Sequence, residues 1–333
     1  MIITKTPFRM SFFGGGTDYP GFFEKYGGSV ISTTFDKYIY VSVRHLPRFF
    51  EYTNEITYNK IERVTSVDQI EHPTVREAMR LLKMEELRVS YDADLPARSG
   101  LGSSSSFAVG MLNAFYALKG RYASKKQLAL DAIKVEREMC KENGGWQDQI
   151  EAAYGGFNRI DFNSSGFEVK PIIISPERKK LLNDHIMLFF TGFSRISSDI
   201  AAEQVKATND KVAELKHLLE YVDIGEKILT TDIDIGDFGR LLDEYWQLKR
   251  CITTKITTDS IDGIYATAKK AGALGGKIMG AGGGGFIMLF VPPEKQPAVK
   301  QALSNLLYVP FKFEESGTSV QFFNPEVYLK RGE

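Results

Sequence analysis

At 333 residues with 43% hydrophobic content, the chain can bury a sizeable core in one large or two medium domains. Its 42 basic and 42 acidic residues leave a formal net charge of zero, so no whole-molecule field favours nucleic acid or an anionic membrane, and an anionic substrate must be met by local groups. Cys140 and Cys251, the two cysteines, lack metal-ligand spacing; the opening MIITKTPFRMSFF has no basic leader, and no run reaches the roughly 20 apolar residues of a membrane span, so a cytoplasmic protein is expected.

From Ile2 to about Val64 the pattern is mostly β, with a glycine turn at Gly14 to Gly16 and the β-branched, aromatic run ISTTFDKYIYVSVRHL reading as a small sheet. The opening strand carries Lys5 and Arg9 into three glycines and then Thr17, Asp18 and Tyr19. An aspartate there can accept hydrogen bonds from substrate hydroxyls, and Arg9 can neutralise phosphate charge; a hairpin turn with an Asx cap fits the same residues. A helix at about Pro73 to Lys83 and the strand LRVSYDADL lead into LPARSGLGSSSSFAVG, residues 95–110. Here Gly100 and Gly102 turn the backbone, and Ser103 to Ser106 can cap a helix whose apolar stripe is Phe107, Met111, Ala114, Phe115 and Leu118. N–H groups and the positive end of the helix dipole then face one point, which suits a polyphosphate; a flexible Gly/Ser turn is the plainer alternative.

The next helix spans Ser124 to about Cys140. At 100° per residue Leu128, Ala132, Val135 and Met139 share a stripe that includes Glu136, whereas Glu138 falls on the flank toward Lys134 and Lys141. A carboxylate on an inward face needs a cation or a donor, so Glu136 is either a structural ion-pair partner or a ligand. In GGWQDQIEAAYGG, Asp148 stands near a helix start, where it is an ordinary first-turn acid or a rigidly placed general base. Strands FNRIDF and FEVKPIII follow, and Ser175 to Asp184 is the candidate boundary, dividing the chain into domains 1–178 and 179–333.

The second half opens on the strand HIMLFFTG, continues through helical segments from about Ser197 to Gly272, and ends with GGKIMGAGGGGFIMLFV, a helix near Glu294 to Leu307 and FKFEESGTSVQFF, an α+β pattern. Gly280 to Gly285 forms a formal GxGxxG but runs into another strand, so it opposes a dinucleotide-binding oxidoreductase and leaves a glycine loop against a nucleotide site or a wide hairpin. There is no GxxxxGK[ST], GxSxG or HExxH, and none of the four histidines lies near these loops.

Taken in order, PFRMSFFGGGTDYP, LPARSGLGSSSS, GGWQDQ and KIMGAGGGGF resemble the motifs of the GHMP small-molecule kinases. The resemblance implies an N-terminal domain like domain 2 of ribosomal protein S5 and a C-terminal ferredoxin-like domain, with the active site between them. It implies ATP and Mg2+ as cofactors, a sugar phosphate as small-molecule partner, no nucleic acid or membrane partner, and admits a homodimer. By position, Pro96 and Gly100, Leu101, Gly102, Ser103, Ser104, Ser105 and Ser106 would wrap the ATP phosphates. Ser104 and Glu136 would hold the metal, and Asp148, with Arg9, would be catalytic. Gly16, Thr17, Asp18, Gly282 and Gly283 would face the acceptor. Within the family the opening GGGTDYP and WQLKRCITTKIT followed by ALGGKIMGAGGGGF are most similar to members that phosphorylate the anomeric hydroxyl of a heptose 7-phosphate, with fucose- and galactose-type acceptors as alternatives. Arg195, in TGFSRISSD, is then the candidate for reading the acceptor's phosphate. A sugar-sensing module without turnover is the competing class.

Overall fold

The aromatic and β-branched residues between Ile2 and His45 fold into two long antiparallel strands, and everything that follows packs on or beside them. The computed structural model describes residues 1–97, 99–192, 197–208, 210–253 and 255–325. Arg195 falls outside these residues. The first half runs β1 (Ile2–Phe13), α1 (Pro20–Tyr26), β2 (Gly28–His45), β3 (Asn54–Thr57), β4 (Ile61–Val64), α2 (Pro73–Leu82), β5 (Leu87–Ala93), α3 (Ser103–Leu118) and α4 (Lys125–Ile133). A π-helical turn (Lys134–Met139) extends α4, and α5 (Gln147–Tyr154), β6 (Phe157–Asn163) and β7 (Gly166–Pro171) follow. The second half adds α6 (Pro176–His185), β8 (Ile186–Gly192), α7 (Ser197–Ala207), α8 (Val212–Thr230), α9 (Gly236–Lys249) and α10 (Asp259–Ala271). It closes with β9 (Gly275–Ile278), β10 (Gly285–Phe290), α11 (Gln296–Ala302), β11 (Leu307–Tyr308), β12 (Phe313–Glu314) and β13 (Ser319–Phe323).

Two sheets organise an α+β architecture. The first has the order β13-β1-β2-β5-β3-β4, with β12 and β6 also on the long β2 and β7 beyond β6; the second has the order β11-β8-β10-β9 and is antiparallel throughout. The opening strands are therefore part of a nine-stranded sheet, larger than the small sheet their spacing suggests. Strands β12 and β13, which the sequence boundary groups with the second half, pair back onto β2 and β1 in the first sheet. The segment Ser175 to Asp184, read as the divide, is the cap and body of the regular helix α6, the Ser175 hydroxyl accepting from the Arg178 N–H at 3.1 Å.

Helix α3 is enclosed on nearly all sides: residues from Ser105 to Leu112 are buried, together with Ala114 and Phe115, which is wider than a single stripe. It packs on β1 and β2 below and on α4, α5 and α2 around it. Close to β1 the two halves are joined by rings: Phe12 meets Phe157, Phe238 and Phe313 edge-on, and Phe13 meets Phe238 and Tyr245 edge-on. Each such pair contributes about 0.5–1.5 kcal/mol beyond its burial, so the join at β1 is a shared core. On the surface Arg159 of β6 binds Asp223 and Glu226 of α8, each at 2.7 Å. Among the described residues no helix is long and apolar enough to cross a membrane, and both cysteines are free.

Candidate active site

The register of β1 against β2 shifts between Pro7 and Phe8, where proline supplies no N–H to the ladder, and again between Ser11 and Phe13. Such irregularities re-aim side chains, and Arg9 lies between them. Its buried guanidinium donates from Nε to Asp148 Oδ1 at 2.7 Å, from Nη2 to Asp148 Oδ2 at 2.9 Å, and from Nη1 to the Gly100 carbonyl at 2.8 Å. One cation thus ties together the strand, the start of α5 and the glycine–serine loop. The bidentate pair is a strong, direction-setting contact, and Asp148 retains 23% side-chain exposure toward the cleft.

The loop enters α3 through Gly102, whose φ of 77° is the left-handed conformation that glycine adopts without strain. Among the described residues no side chain caps this helix, which corrects the expectation that the serines do so. They have other partners: Ser104 and Ser105 donate to Glu136 Oε1 and Oε2 at 2.6 and 2.7 Å, and Ser106 donates to the Pro7 carbonyl at 2.8 Å. Without a side-chain cap, the positive end of α3 opens onto the cleft, as anion binding requires. Glu136 is fully buried, also accepts from Gln149 Nε2 at 2.5 Å, and sits in the π-helical turn; Glu138 is exposed. Local π-helix widens the turn and is frequent at functional sites. The Glu136 carboxylate and the exposed Ser104 hydroxyl are hard oxygen donors that fit magnesium, which is usually held by one or two carboxylates together with substrate phosphates.

At the other end of the cleft Asp18 is buried, accepting from the Gly16 and Gln147 N–H groups at 2.9 and 3.3 Å. Burial raises its carboxyl above the ordinary range, opposed by the Gly16 bond, and the nearby Asp148 charge raises it further. A Cβ on Gly145 would stand 1.8 Å from Asp18 Oδ2, so only glycine lets the Asp148 segment approach this closely. Two lysines complete the floor. Lys249 Nζ, at the end of α9, donates to the Gly15 carbonyl at 2.5 Å; Lys277 Nζ, on β9, donates to the Ser11 and Phe12 carbonyls at 3.0 and 3.3 Å. Consecutive carbonyls of a regular strand point opposite ways, so this double acceptance belongs to the irregularity at Ser11 to Phe13.

The expected residues that meet in this one cleft are Arg9, Gly16, Asp18, Gly100, Gly102, Ser103, Ser104, Ser105, Glu136 and Asp148. Others lie beneath it. Leu101 is core, its carbonyl accepting from Arg9 N–H at 3.1 Å, and the buried Thr17 hydroxyl lies 2.8 Å from the Gly14 carbonyl. Pro96 is partly buried and precedes the loop. Gly282 and Gly283 pack against residue 256, the Gly283 N–H donating to the Ile256 carbonyl at 3.0 Å; of this loop, Gly280 and Ala281 reach the cleft. The loop joins β9 to β10 as a hairpin, so the GxGxxG opens no helix. Lys249, Lys277, Ser11 and Gln147 also line the cleft and were not anticipated. For Lys249 the signal was present: Leu242, Tyr245, Trp246 and Lys249 form one buried stripe of α9, the same argument that singles out Glu136.

Beneath Asp148, one turn along α5, Glu151 is wholly buried and accepts from Ser32 Oγ at 2.7 Å and Asn158 Nδ2 at 3.1 Å. Burial pushes its carboxyl up to about 7, opposed by those two bonds. A folded-state pKa above the unfolded value of about 4.3 means that the folded protein holds the extra proton, so this contribution is present at low pH and is lost as pH rises through about 7. Glu151→Gln should therefore gain stability relative to the parent by on the order of 2–3 kcal/mol more at pH 8 than at pH 5, read from denaturant midpoints. An equal difference at both pH values would show that Glu151 does not titrate there.

The GHMP kinases N terminal domain matches residues 73–156 and the GHMP kinases C terminal domain matches residues 226–309, together half of the chain. The chain is 29% identical over 320 residues to D-glycero-alpha-D-manno-heptose 7-phosphate kinase of Campylobacter jejuni, covering 91% of this chain and 93% of that protein. It is 27% identical over 222 residues to a bifunctional fucokinase/GDP-fucose pyrophosphorylase of Arabidopsis thaliana, covering 63% of this chain and 20% of that protein. Among solved structures, a D-glycero-D-manno-heptose 1-phosphate kinase from Bacteriodes thetaiotaomicron superposes with a TM-score of 0.73 at 25% identity, covering 99% of this chain and 100% of that one. Both domain matches, in order and on either side of the cleft, carry the same conclusion: the chain belongs to the GHMP kinases and is a phosphotransferase.

Proposed function

We propose that this kinase transfers the γ-phosphoryl group of ATP to the anomeric hydroxyl of D-glycero-D-manno-heptose 7-phosphate, forming the 1,7-bisphosphate. The observation that carries the reading is the bidentate Arg9–Asp148 pair fixed beside the mouth of the Gly100–Ser105 loop. The near full-length similarity to a heptose 7-phosphate kinase supports the choice of acceptor.

In this reading the loop and the open end of α3 cradle the nucleotide phosphates, while Glu136 and Ser104 hold magnesium, which when bound offsets phosphate charge. Asp148, oriented by Arg9, accepts the proton of the acceptor hydroxyl as that oxygen bonds to the γ-phosphorus and the bond to the ADP oxygen breaks. Asp18, held in place by the Gly16 and Gln147 N–H groups, orients the sugar. Little covalent help is needed, because phosphoryl transfer depends mainly on alignment and charge stabilisation. The test is ADP formation against a panel of free and phosphorylated sugars, with NADH absorbance followed in parallel. ATP-dependent turnover highest on the heptose phosphate supports the assignment. Greater turnover on fucose or galactose transfers it to the fucokinase-type alternative, and a hydride signal without ATP loss would remove the kinase reading altogether.

A further inference from the structure

Lys249 and Lys277 are buried, 6% and 5% exposed, yet both line the cleft, and neither has a carboxylate within ion-pair distance among the described residues. Their hydrogen-bond partners are three backbone carbonyls of the 11–15 segment, and the Lys277 ammonium also lies over the Tyr245 ring, 5.1 Å from its centroid. An ammonium has three donors, so among the described residues two N–H groups of Lys249 and one of Lys277 have no acceptor. The Ser11 hydroxyl beside them is likewise buried, without a hydrogen-bond partner among the described residues, and lines the cleft. Burial lowers Lys249 to about 8, with Asp18 opposing the change, and lowers Lys277 as well, aided by repulsion from Lys249 and Arg9. Buried, mutually repelling cations with unused donors are costly unless an anion joins them.

The anchors also have an order along the chain. Arg9, bound to the loop and to Asp148, comes first; the carbonyls of Ser11 and Phe12 hold Lys277, and that of Gly15 holds Lys249. Lys249 adjoins the group assigned to the sugar: the Gly16 N–H donates to Asp18, and a Cβ on Gly16 would stand 2.9 Å from Lys249 Nζ. We propose that Lys249 and Lys277, with the Ser11 hydroxyl, form an anion subsite that receives the phosphate already carried by the acceptor, and that this subsite selects sugar phosphates over free sugars. This rests on the kinase reading and gives its acceptor specificity a structural basis distinct from Arg195.

The experiment compares the parent with Lys249→Met, Lys277→Met and Arg195→Ala, measuring kcat/KM for heptose 7-phosphate, for unphosphorylated heptose and for ATP. Methionine keeps the length and apolar stem of lysine, so folding should survive, as thermal melting would verify. Each methionine variant should cut the preference for the phosphorylated heptose by at least about 30-fold while moving the KM for ATP by less than about threefold, the scale of losing one buried charge-assisted partner. In parallel, inorganic phosphate is titrated calorimetrically into protein saturated with a non-hydrolysable ATP analogue; its affinity should fall at least about tenfold in either methionine variant. The parent's affinity should itself weaken above about pH 8, as Lys249 loses its charge in a site that also holds Asp18, Lys277, Arg9, Asp148 and the buried Tyr245. Unchanged preference and unchanged phosphate affinity in both variants, or a loss confined to Arg195→Ala, would overturn the subsite while leaving the kinase intact. Absence of phosphotransfer from the parent to any acceptor would instead sink the functional reading, and the phosphate titration would still decide the subsite.

Discussion

Asp148→Asn should lower kcat by at least about a hundredfold, the scale of losing a general base, while nucleotide affinity stays near that of the parent. Asparagine has the same shape and keeps one acceptor for Arg9 but cannot take a proton from the acceptor hydroxyl. It also leaves a guanidinium, buried to 4% exposure, without its counter-charge, so a loss of stability accompanies the loss of rate and must be measured beside it. Arg9→Met should be slow for a related reason, because Asp148 would lose the two bonds that orient it. Since the pair acts as one unit, the double variant should be little slower than the worse single variant. A folded Asp148→Asn protein with parental turnover would remove Asp148 from the chemistry.

The second large effect is expected at the metal. Glu136→Gln should raise the magnesium concentration needed for half-maximal rate by at least about tenfold, and Glu138→Gln should leave it unchanged. Glu136 is buried and accepts from Ser104, Ser105 and Gln149, so an amide there both loses charge and places a donor against donors. Glu138 is exposed on the opposite flank of the same turn. Calorimetric titration of magnesium with a non-hydrolysable ATP analogue gives a second readout independent of turnover. Equal responses of the two variants would mean that the buried carboxylate is only structural.

Much of this was legible from residue order, because the features concerned are local. The helical stripe that separates Glu136 from Glu138 depends only on periodicity, and it survives even though the last turn is π-helical. The glycine–serine stretch announces a tight turn before a helix, and the strand after Gly285 argues against a dinucleotide loop. What the sequence did not convey depends on distant partners. The serines look like caps because cap and ligand serines are alike in sequence, and only the approach of the Glu136 turn shows where their hydroxyls go. Strand β13 joins β1 across more than 300 residues, a pairing that no local pattern encodes. Gly282 and Gly283 share composition with Gly280, yet differ in which side of the hairpin meets residue 256 and which meets the cleft.

The most direct measurement is phosphorus NMR of the products when the enzyme is given ATP and D-glycero-D-manno-heptose 7-phosphate. The account predicts one new signal from an anomeric phosphate, coupled to the C1 hydrogen, for each ADP formed, with the 7-phosphate signal retained. ADP formed without that signal, or an inert heptose phosphate beside brisk turnover of fucose or galactose, would contradict it.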